Sequence, residues 1–370
     1  MEFGLSDEQR QLKDSARAFL AHECPTSKVR QAMADEAGLA RDLYGEIAKL
    51  GWTGLMVPEG FGGSGLGMLD MSLLLEECGY AAMPGPFLFS VLATAVLARG
   101  GDAEIKNRWL RALSAGDSVG TVGLVEASDT LNPVELSTSA RNAGSGWVLN
   151  GTKMFVPYAH VADFIVVAAR TSPRHVGLFV VETRTAGVSV RMLKHLDLTR
   201  RVSLVELEGV SVPLQARLDG GVGLYHWLCR IGAVAVAADS LGGAERALEM
   251  AVEYSKVREQ FGKPIGSFQA LKHAAAEIVA DLEPARALLW YAAHAQDVLP
   301  DEADRAAAMA KARLSEVYSQ TAGRAVLMHG GIGFTWEHDL HLWFKRARFN
   351  EAYFGAPGFH RERVAQLSGY

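Results

Sequence analysis

A fixed cation, an aromatic ring, a helix-breaking turn and an amide fall within twelve residues, from Arg258 to Gln269. Arg258 can offer a fork of donors to a phosphate. Phe261 presents a ring face, and Gln269 carries both a donor and an acceptor. Gly262 and Pro264 stop a helix where a ligand could come close to the backbone. The same run also suits a plain helix–helix connection with a surface arginine, and the residues alone leave both readings open.

Other side chains in the C-terminal third bear on chemistry. Asp239 lies mid-helix in the small-residue stretch Ala237-Ala-Asp-Ser-Leu-Gly-Gly243. A carboxylate there is costly unless paired, so it is either a buried acid or base or half of a structural ion pair. His329, His338 and His341 stand close enough in sequence for a metal set, yet they equally fit a turn histidine followed by histidines at a helix start. The Ala233-Val-Ala-Val-Ala237 run either makes room for a wide ligand or allows close helix packing.

These residues need long helices to hold them. From about 222 onward, helical runs cover 223–257, 267–294, 301–328 and 338–350, and short turns between long helices predict an antiparallel bundle. The first 115 residues are also helical, with runs near 5–20, 38–50, 68–82, 86–99 and 102–115. Ser6 and Gln9 have the spacing of a capping box. Val57-Pro-Glu-Gly-Phe-Gly-Gly-Ser-Gly-Leu-Gly67 is too rich in glycine for a helix, and without a following Gly-Lys-Ser/Thr it is not a phosphate loop. Between the helical parts, 122–125, 147–149, 164–168, 177–181 and 203–207 are short β-type runs. They are separated by turn clusters at 142–146, Asn150-Gly151 and 171–173, which predicts an antiparallel barrel or sandwich. The expected organisation is an N-terminal helical domain (1–117), a middle β-barrel domain (118–218) and a C-terminal four-helix bundle (219–370), a multidomain α+β protein.

Bulk properties narrow the function. The chain has 370 residues, 49% of them apolar, and a formal net charge of −5 with both signs interspersed. No basic face points to nucleic acid. No long uncharged apolar run points to a membrane. The start, Met1-Glu-Phe-Gly-Leu-Ser6, lacks the basic and apolar regions of a signal peptide. Cys24, Cys78 and Cys229 are few and far apart, as expected of reduced thiols in a cytoplasmic protein.

The order of helices, β domain and helices resembles the acyl-CoA dehydrogenase family, and motifs across essentially the whole chain carry the likeness. The loop from Leu50 to Gly67 resembles the family's N-domain loop, and Glu76-Glu77 and Pro84-Gly-Pro86 follow it in order. Leu149-Asn-Gly-Thr-Lys153 resembles the β-domain hairpin. Arg258–Gln269 resembles the flavin-binding turn, and His329-Gly-Gly-Ile-Gly-Phe-Thr-Trp-Glu-His338 resembles the glycine turn beyond it. The resemblance implies FAD, an acyl-CoA thioester substrate, a tetramer built of two dimers and an electron acceptor such as an electron-transfer flavoprotein. It implies that Arg258 neutralises the pyrophosphate and that Phe261 packs near the adenosine. Gln269 would hydrogen-bond the cofactor, and the Gly330-Gly331 backbone would lie against it, reaching a partner subunit's FAD. The implied reaction is α,β-dehydrogenation, with a carboxylate taking the α-proton and the cofactor taking the hydride.

The chain departs from the family pattern where the chemistry happens. The run matching the family's Tyr-Glu-Gly-Thr is Tyr353-Phe354-Gly355-Ala356, so Phe354 stands in place of the usual base. The alternative base position, counted back from Arg258, falls at or near Gly232. Asp239 is the remaining candidate for a catalytic carboxylate, with Glu351 behind it. The family's Trp-Ile-Thr segment becomes Phe155-Val-Pro157, and proline removes both a hydroxyl and a backbone donor. The loop that usually reads Thr-Glu-Pro-x-Ala-Gly-Ser-Asp is shortened to Val125-Glu-Ala-Ser128-Asp129, where Ser128 keeps part of the flavin contact. Leu327 replaces a glutamine before the glycine turn. This pattern resembles a group of actinobacterial-type steroid and branched-substrate dehydrogenases that form α2β2 heterotetramers in which one subunit type carries the base.

Three readings follow: an acyl-CoA dehydrogenase active alone or in a complex, a base-lacking partner subunit that completes the FAD site of an active one, or a relative with oxidase chemistry. Phe354 counts against the third, because such oxidases keep a carboxylate at that position.

Overall fold

The computed structural model describes residues 4–370. Met1, Glu2 and Phe3, part of the start expected to lack a leader, lie outside the described residues. By its contacts the chain forms two compact units, Met1–Arg30 with Met68–Met83 and Ala233–Tyr370, and Gln31–Gly67 with Pro84–Gly232.

The first unit is helical. It contains α1 (Asp7–Glu23), the start of α2 (Thr26–Ala34), α4 (Met68–Tyr80) and, from Ala233 onward, α7 (Gly221–Val257). The helices α8 (Gln269–Val298), α9 (Pro300–His329), α10 (Leu340–Ala352) and α11 (Pro357–Leu367) complete it. The capping box at the start of α1 is formed: the Ser6 hydroxyl accepts from Gln9 N at 3.2 Å and Gln9 Oε1 accepts from Ser6 N at 3.1 Å. Helix α4 runs against α1 and α8. Its meeting with α7 is close enough to demand glycine. A Cβ on Gly242 would overlap the Glu76 carbonyl oxygen, and one on Gly79 would overlap that of Asp239. Small residues on α7 therefore serve helix packing here. Buried Glu76 and Glu77 face Lys13, Arg17 and Arg286, and Glu245 joins them, accepting from Arg17 and from Arg286 at 2.9 Å each. Charges this deep are tolerated because each is paired.

The second unit carries α3 (Arg41–Lys49), α5 (Phe87–Gly100), α6 (Ala103–Ala115) and a seven-stranded sheet. The strands are β1 (Gly120–Gly123), β2 (Ser139–Asn142), β3 (Gly146–Pro157), β4 (Phe164–Ser172), β5 (His175–Glu182), β6 (Val188–Leu193) and β7 (Val202–Pro213). Their order is β1-β4-β2-β3-β7-β6, with β5 also on β4. Alternate residues of these strands, among them Leu149, Ile165, Val167, Phe179, Val205 and Val210, point to one core, where Trp147 meets Phe179 edge-on at 5.3 Å.

Two details depart from the sequence reading. The sheet is mixed: β1 and β2 both pair with β4 in parallel, because each returns to it through intervening chain instead of a tight hairpin. Asn150-Gly151 is a bulge inside β3, where Gly151 at φ 147° passes so near Thr138 that a Cβ would sit 2.6 Å from its Cα. The structure also adds helix α2, strands β2 and β6, and helix α11, none of which has a long periodic pattern. Among the described residues α7 alone is long and apolar enough to cross a bilayer, but most of that stretch is buried within the protein.

Candidate functional site

The Arg258 turn is a tight hairpin between α7 and α8, with β8 (Glu259–Gln260) pairing β9 (Lys263–Pro264). Phe261 adopts φ 54° and Gly262 φ 78°, so two left-handed residues reverse the chain. This geometry turns Phe261 outward, 92% exposed, an unusual position for a phenyl ring in an isolated chain. Arg258 is exposed and makes no ion pair or side-chain hydrogen bond among the described residues, and Gln269, at the start of α8, is exposed as well. Farther along, Gly330 and Gly331 have open space where a Cβ would stand. Leu327, Phe334 and Trp336 around them are 74, 71 and 53% exposed. A free guanidinium, an outward ring and bare glycine backbone suit a ligand that is anionic in one part and aromatic in another. FAD has both parts, and the residues fit it.

The histidines are explained by their neighbours. His329 stacks on Tyr254 at 4.5 Å, meets His338 edge-on at 4.6 Å, and pairs with the Ala325 carbonyl at 2.7 Å. His341 stacks on Trp336 at 4.7 Å. Burial holds all three below the usual imidazole value. They form an aromatic brace beneath the glycine turn.

Phe354 adopts φ 58° and is buried against Tyr353, ring centroids 5.0 Å apart. The two carboxylates considered as replacements for the base are committed elsewhere. Glu351 accepts from Ser319 Oγ at 2.7 Å and Arg348 Nη1 at 2.8 Å. Asp239 accepts from Arg346 through both carboxylate oxygens, with Nε at 2.9 Å, and from Asn350 Nδ2 at 2.7 Å. Arg346 also donates to the Met83 carbonyl at 3.0 Å. This is the geometry of a structural ion pair that ties α7 to α10, the second of the two roles open to Asp239 from sequence.

Two buried lysines went unassigned in the sequence. Lys311 on α9 donates to Ser315 Oγ (2.9 Å) and to the carbonyls of Asn350 (2.9 Å), Glu351 (3.2 Å) and Gly355 (2.9 Å). Burial pushes its ammonium down to about 7 against the opposing pull of Glu351. The available signal was a lone lysine on an alanine face, Ala306-Ala-Ala-Met-Ala-Lys311-Ala.

In the second unit, Lys153 of β3 meets Glu126 at 2.6 Å, both buried. Glu126 also accepts from Ser137 N and Oγ (2.6 and 2.5 Å) and Thr138 N (3.0 Å). Burial alone would raise Glu126, but Lys153 and these donors bring it down to about 2, while burial lowers Lys153 to about 8. The pair anchors the base of the 126–132 loop. Its tip is exposed at Ser128, Asp129 turns at φ 50°, and Tyr225 Oη donates to the Leu131 carbonyl at 3.1 Å. Phe155 projects from a bulge in β3, left-handed at φ 51° and 43% exposed. A strained, exposed aromatic is characteristic of a functional surface. Pro157 ends the same strand, its carbonyl accepting from Thr121 Oγ1 at 2.5 Å.

Comparison with known proteins settles the family. Residues 6–117, 122–210 and 219–368 match, in that order, the N-terminal, middle and C-terminal domains of acyl-CoA dehydrogenase. The chain belongs to the acyl-CoA dehydrogenase family. It is an oxidoreductase subunit of the CH–CH class, and the cofactor of the family is FAD. Acyl-CoA dehydrogenase IpdE2 of Mycolicibacterium smegmatis is 31% identical over 364 residues, 98% of each chain. The ChsE4-ChsE5 complex from Mycobacterium tuberculosis contains a chain that superimposes with a TM-score of 0.93 at 31% identity, covering all of both chains. A variant of the steroid acyl-CoA dehydrogenase Tcur3481-Tcur3483 gives a TM-score of 0.90 at 29% identity over 98% of each chain.

Proposed function

We propose that this chain is the base-lacking subunit of a heteromeric, FAD-dependent acyl-CoA dehydrogenase, and that its Arg258–Gln269 and Gly330-Gly331 turns complete the cofactor site of a catalytic partner. The observation that carries this reading is Phe354. A buried phenyl occupies the turn where the family places its base, and neither Glu351 nor Asp239 is free to replace it. Support for a two-subunit assembly comes from the ChsE4-ChsE5 complex, and for a bulky, steroid-like acyl group from the steroid enzyme. The electron acceptor would be an electron-transfer flavoprotein, and the assembly would work in the cytoplasm.

Bound FAD supplies the hydride acceptor. The chain's own residues would bind and orient it. Arg258 would clamp the pyrophosphate through charge-assisted hydrogen bonds. Phe261 would cover the adenosine and Gln269 would fix the cofactor's polar edge. Gly330 and Gly331 would let the backbone lie against it without a side chain in the way. In the second unit, Phe155 and Ser128 would line the ring end of a flavin, separately from the turns offered to the partner, with the Lys153–Glu126 pair holding the Ser128 loop. Removal of the α-proton would fall to a carboxylate of the partner. We infer for Asp239 a packing role, to hold α10 on α7, in place of the catalytic role considered from sequence.

The test is to purify the chain alone and together with any subunit that co-purifies from its host, and to follow flavin absorbance on addition of acyl-CoA. Acyl-CoA-dependent bleaching is expected only in the co-purified complex. Bleaching by the chain alone would favour a self-sufficient enzyme.

A further inference from the structure

Lys311 is fully buried and, among the described residues, has no carboxylate in hydrogen-bonding contact, which requires an explanation. A buried ammonium is expensive unless every N–H is satisfied. Here three carbonyl oxygens converge on one nitrogen: Asn350 and Glu351 from the last turn of α10, and Gly355 from just beyond it. The α10 carbonyls are among those a helix leaves unpaired at its C-terminus, where the macrodipole is negative. From the other side, His360 Nε2 pairs with the Phe354 carbonyl at 2.8 Å, so the carbonyls flanking the Gly355 Cα are held by side chains from α9 and α11. Phe354 and Gly355 are both left-handed, at φ 58° and 96°. A non-glycine residue in that region persists only when its surroundings fix it.

We propose that Lys311 is the positioning residue of the Tyr353-Phe354-Gly355 turn, its ammonium, seated on Ser315, drawing together the carbonyls of Asn350, Glu351 and Gly355 so as to set the direction in which the side chain of residue 354 leaves the backbone. The proposal rests on the reading that this turn is the family's catalytic turn, kept in form after its base was replaced. Stoichiometry makes the charge matter. Lys311 Nζ faces four oxygens, the three carbonyls and Ser315 Oγ. An ammonium shares three N–H donors among them, whereas a neutral amine has two, must release at least one of the three carbonyls, and can take the Ser315 O–H on its lone pair. The groups facing Lys311 are His360 from α11 and Glu351 from α10. His360 is held down to about 4 by burial and by Lys311 itself, so it stays neutral above pH 6. The Glu351 carboxylate is bound to Ser319 and Arg348. A loosening of the turn between pH 6 and 9 therefore reports on Lys311, whose ammonium is lowered to about 7.

The test is amide hydrogen exchange on the full chain, with its partner subunit if one co-purifies, for wild type, Lys311→Met and Lys311→Gln. After correction for intrinsic exchange, wild-type amides at Tyr353, Gly355 and His360 are expected to exchange about tenfold faster at pH 9 than at pH 6. Lys311→Met should be fast and pH-independent, with Lys311→Gln between them. Amides of α7 around Asp239 should not change in step. A wild-type profile flat over this range, or full protection in Lys311→Met, would overturn the proposal; the wild-type profile decides alone if neither variant folds. In the same complex, failure of acyl-CoA to bleach the flavin would count against the functional reading, while the exchange profile still judges Lys311.

Discussion

Arg346 and Asp239 close on one another between α10 and α7 with both side chains 1% exposed, and Asn350 donates to the same carboxylate at 2.7 Å. The pair explains how a carboxylate lies in a stretch of alanines and glycines. It also engages both carboxylate oxygens of the best catalytic candidate in the sequence with donors. Asp239→Asn strands a guanidinium in the core, and breaking such a pair costs about 3–5 kcal/mol. The expected outcome is a large fall in thermal stability, partly recovered when Arg346→Met is added. Loss of activity at unchanged stability would instead mark Asp239 as catalytic.

Arg258 predicts the reverse pattern. It is exposed and makes no side-chain pair among the described residues, so Arg258→Ala should change folding stability by no more than about 0.5 kcal/mol. If it clamps pyrophosphate, the variant complex should lose a charge-assisted bond of about 1.5–3 kcal/mol, roughly ten- to a hundredfold in FAD affinity. Flavin retention during gel filtration, compared with calorimetric melting, separates the two effects.

The Lys153–Glu126 pair gives a pH signature. The folded Glu126 is lowered to about 2 from its ordinary 4.5, so its contribution is present above pH 4.5 and fades as pH falls toward 2. Lys153→Met leaves that carboxylate buried without its counter-ion, at a cost of about 3–5 kcal/mol near neutrality. The gap between wild type and variant should narrow as pH drops from 4.5 to 2, because the wild-type pair loses its contribution as Glu126 protonates. Melting curves across that range check it; a constant gap would mean that lost packing, not charge, sets the cost.

Much of the fold was legible in the sequence, and for identifiable reasons. The long C-terminal helices are joined by short turns that the sequence marks, and Gly262 and Gly330 take the positive φ that favours glycine. The short helix Thr26–Ala34 and strands β2 and β6 are too brief for periodicity to register, and the two strands are held by pairing with β3 and β7. The Asn150-Gly151 bulge imitated a turn because both demand the same glycine chemistry. Phe354 could be recognised as an absence. For Asp239 the sequence offered an ion pair as one of two readings but not the partner, since Arg346 lies 107 residues away. Lys311 was hidden for a related reason: its acceptors are mostly backbone carbonyls, which carry no residue-specific signal.

The most direct measurement is acyl-CoA-dependent bleaching of the flavin band, made on the purified chain alone and on the complex with its co-purified subunit. A base-lacking subunit gives no bleaching alone and full bleaching in the complex, with the active base traced to the other subunit. A yellow homotetramer of this chain that oxidises acyl-CoA, at a rate unaltered by Asp239→Asn, would contradict it.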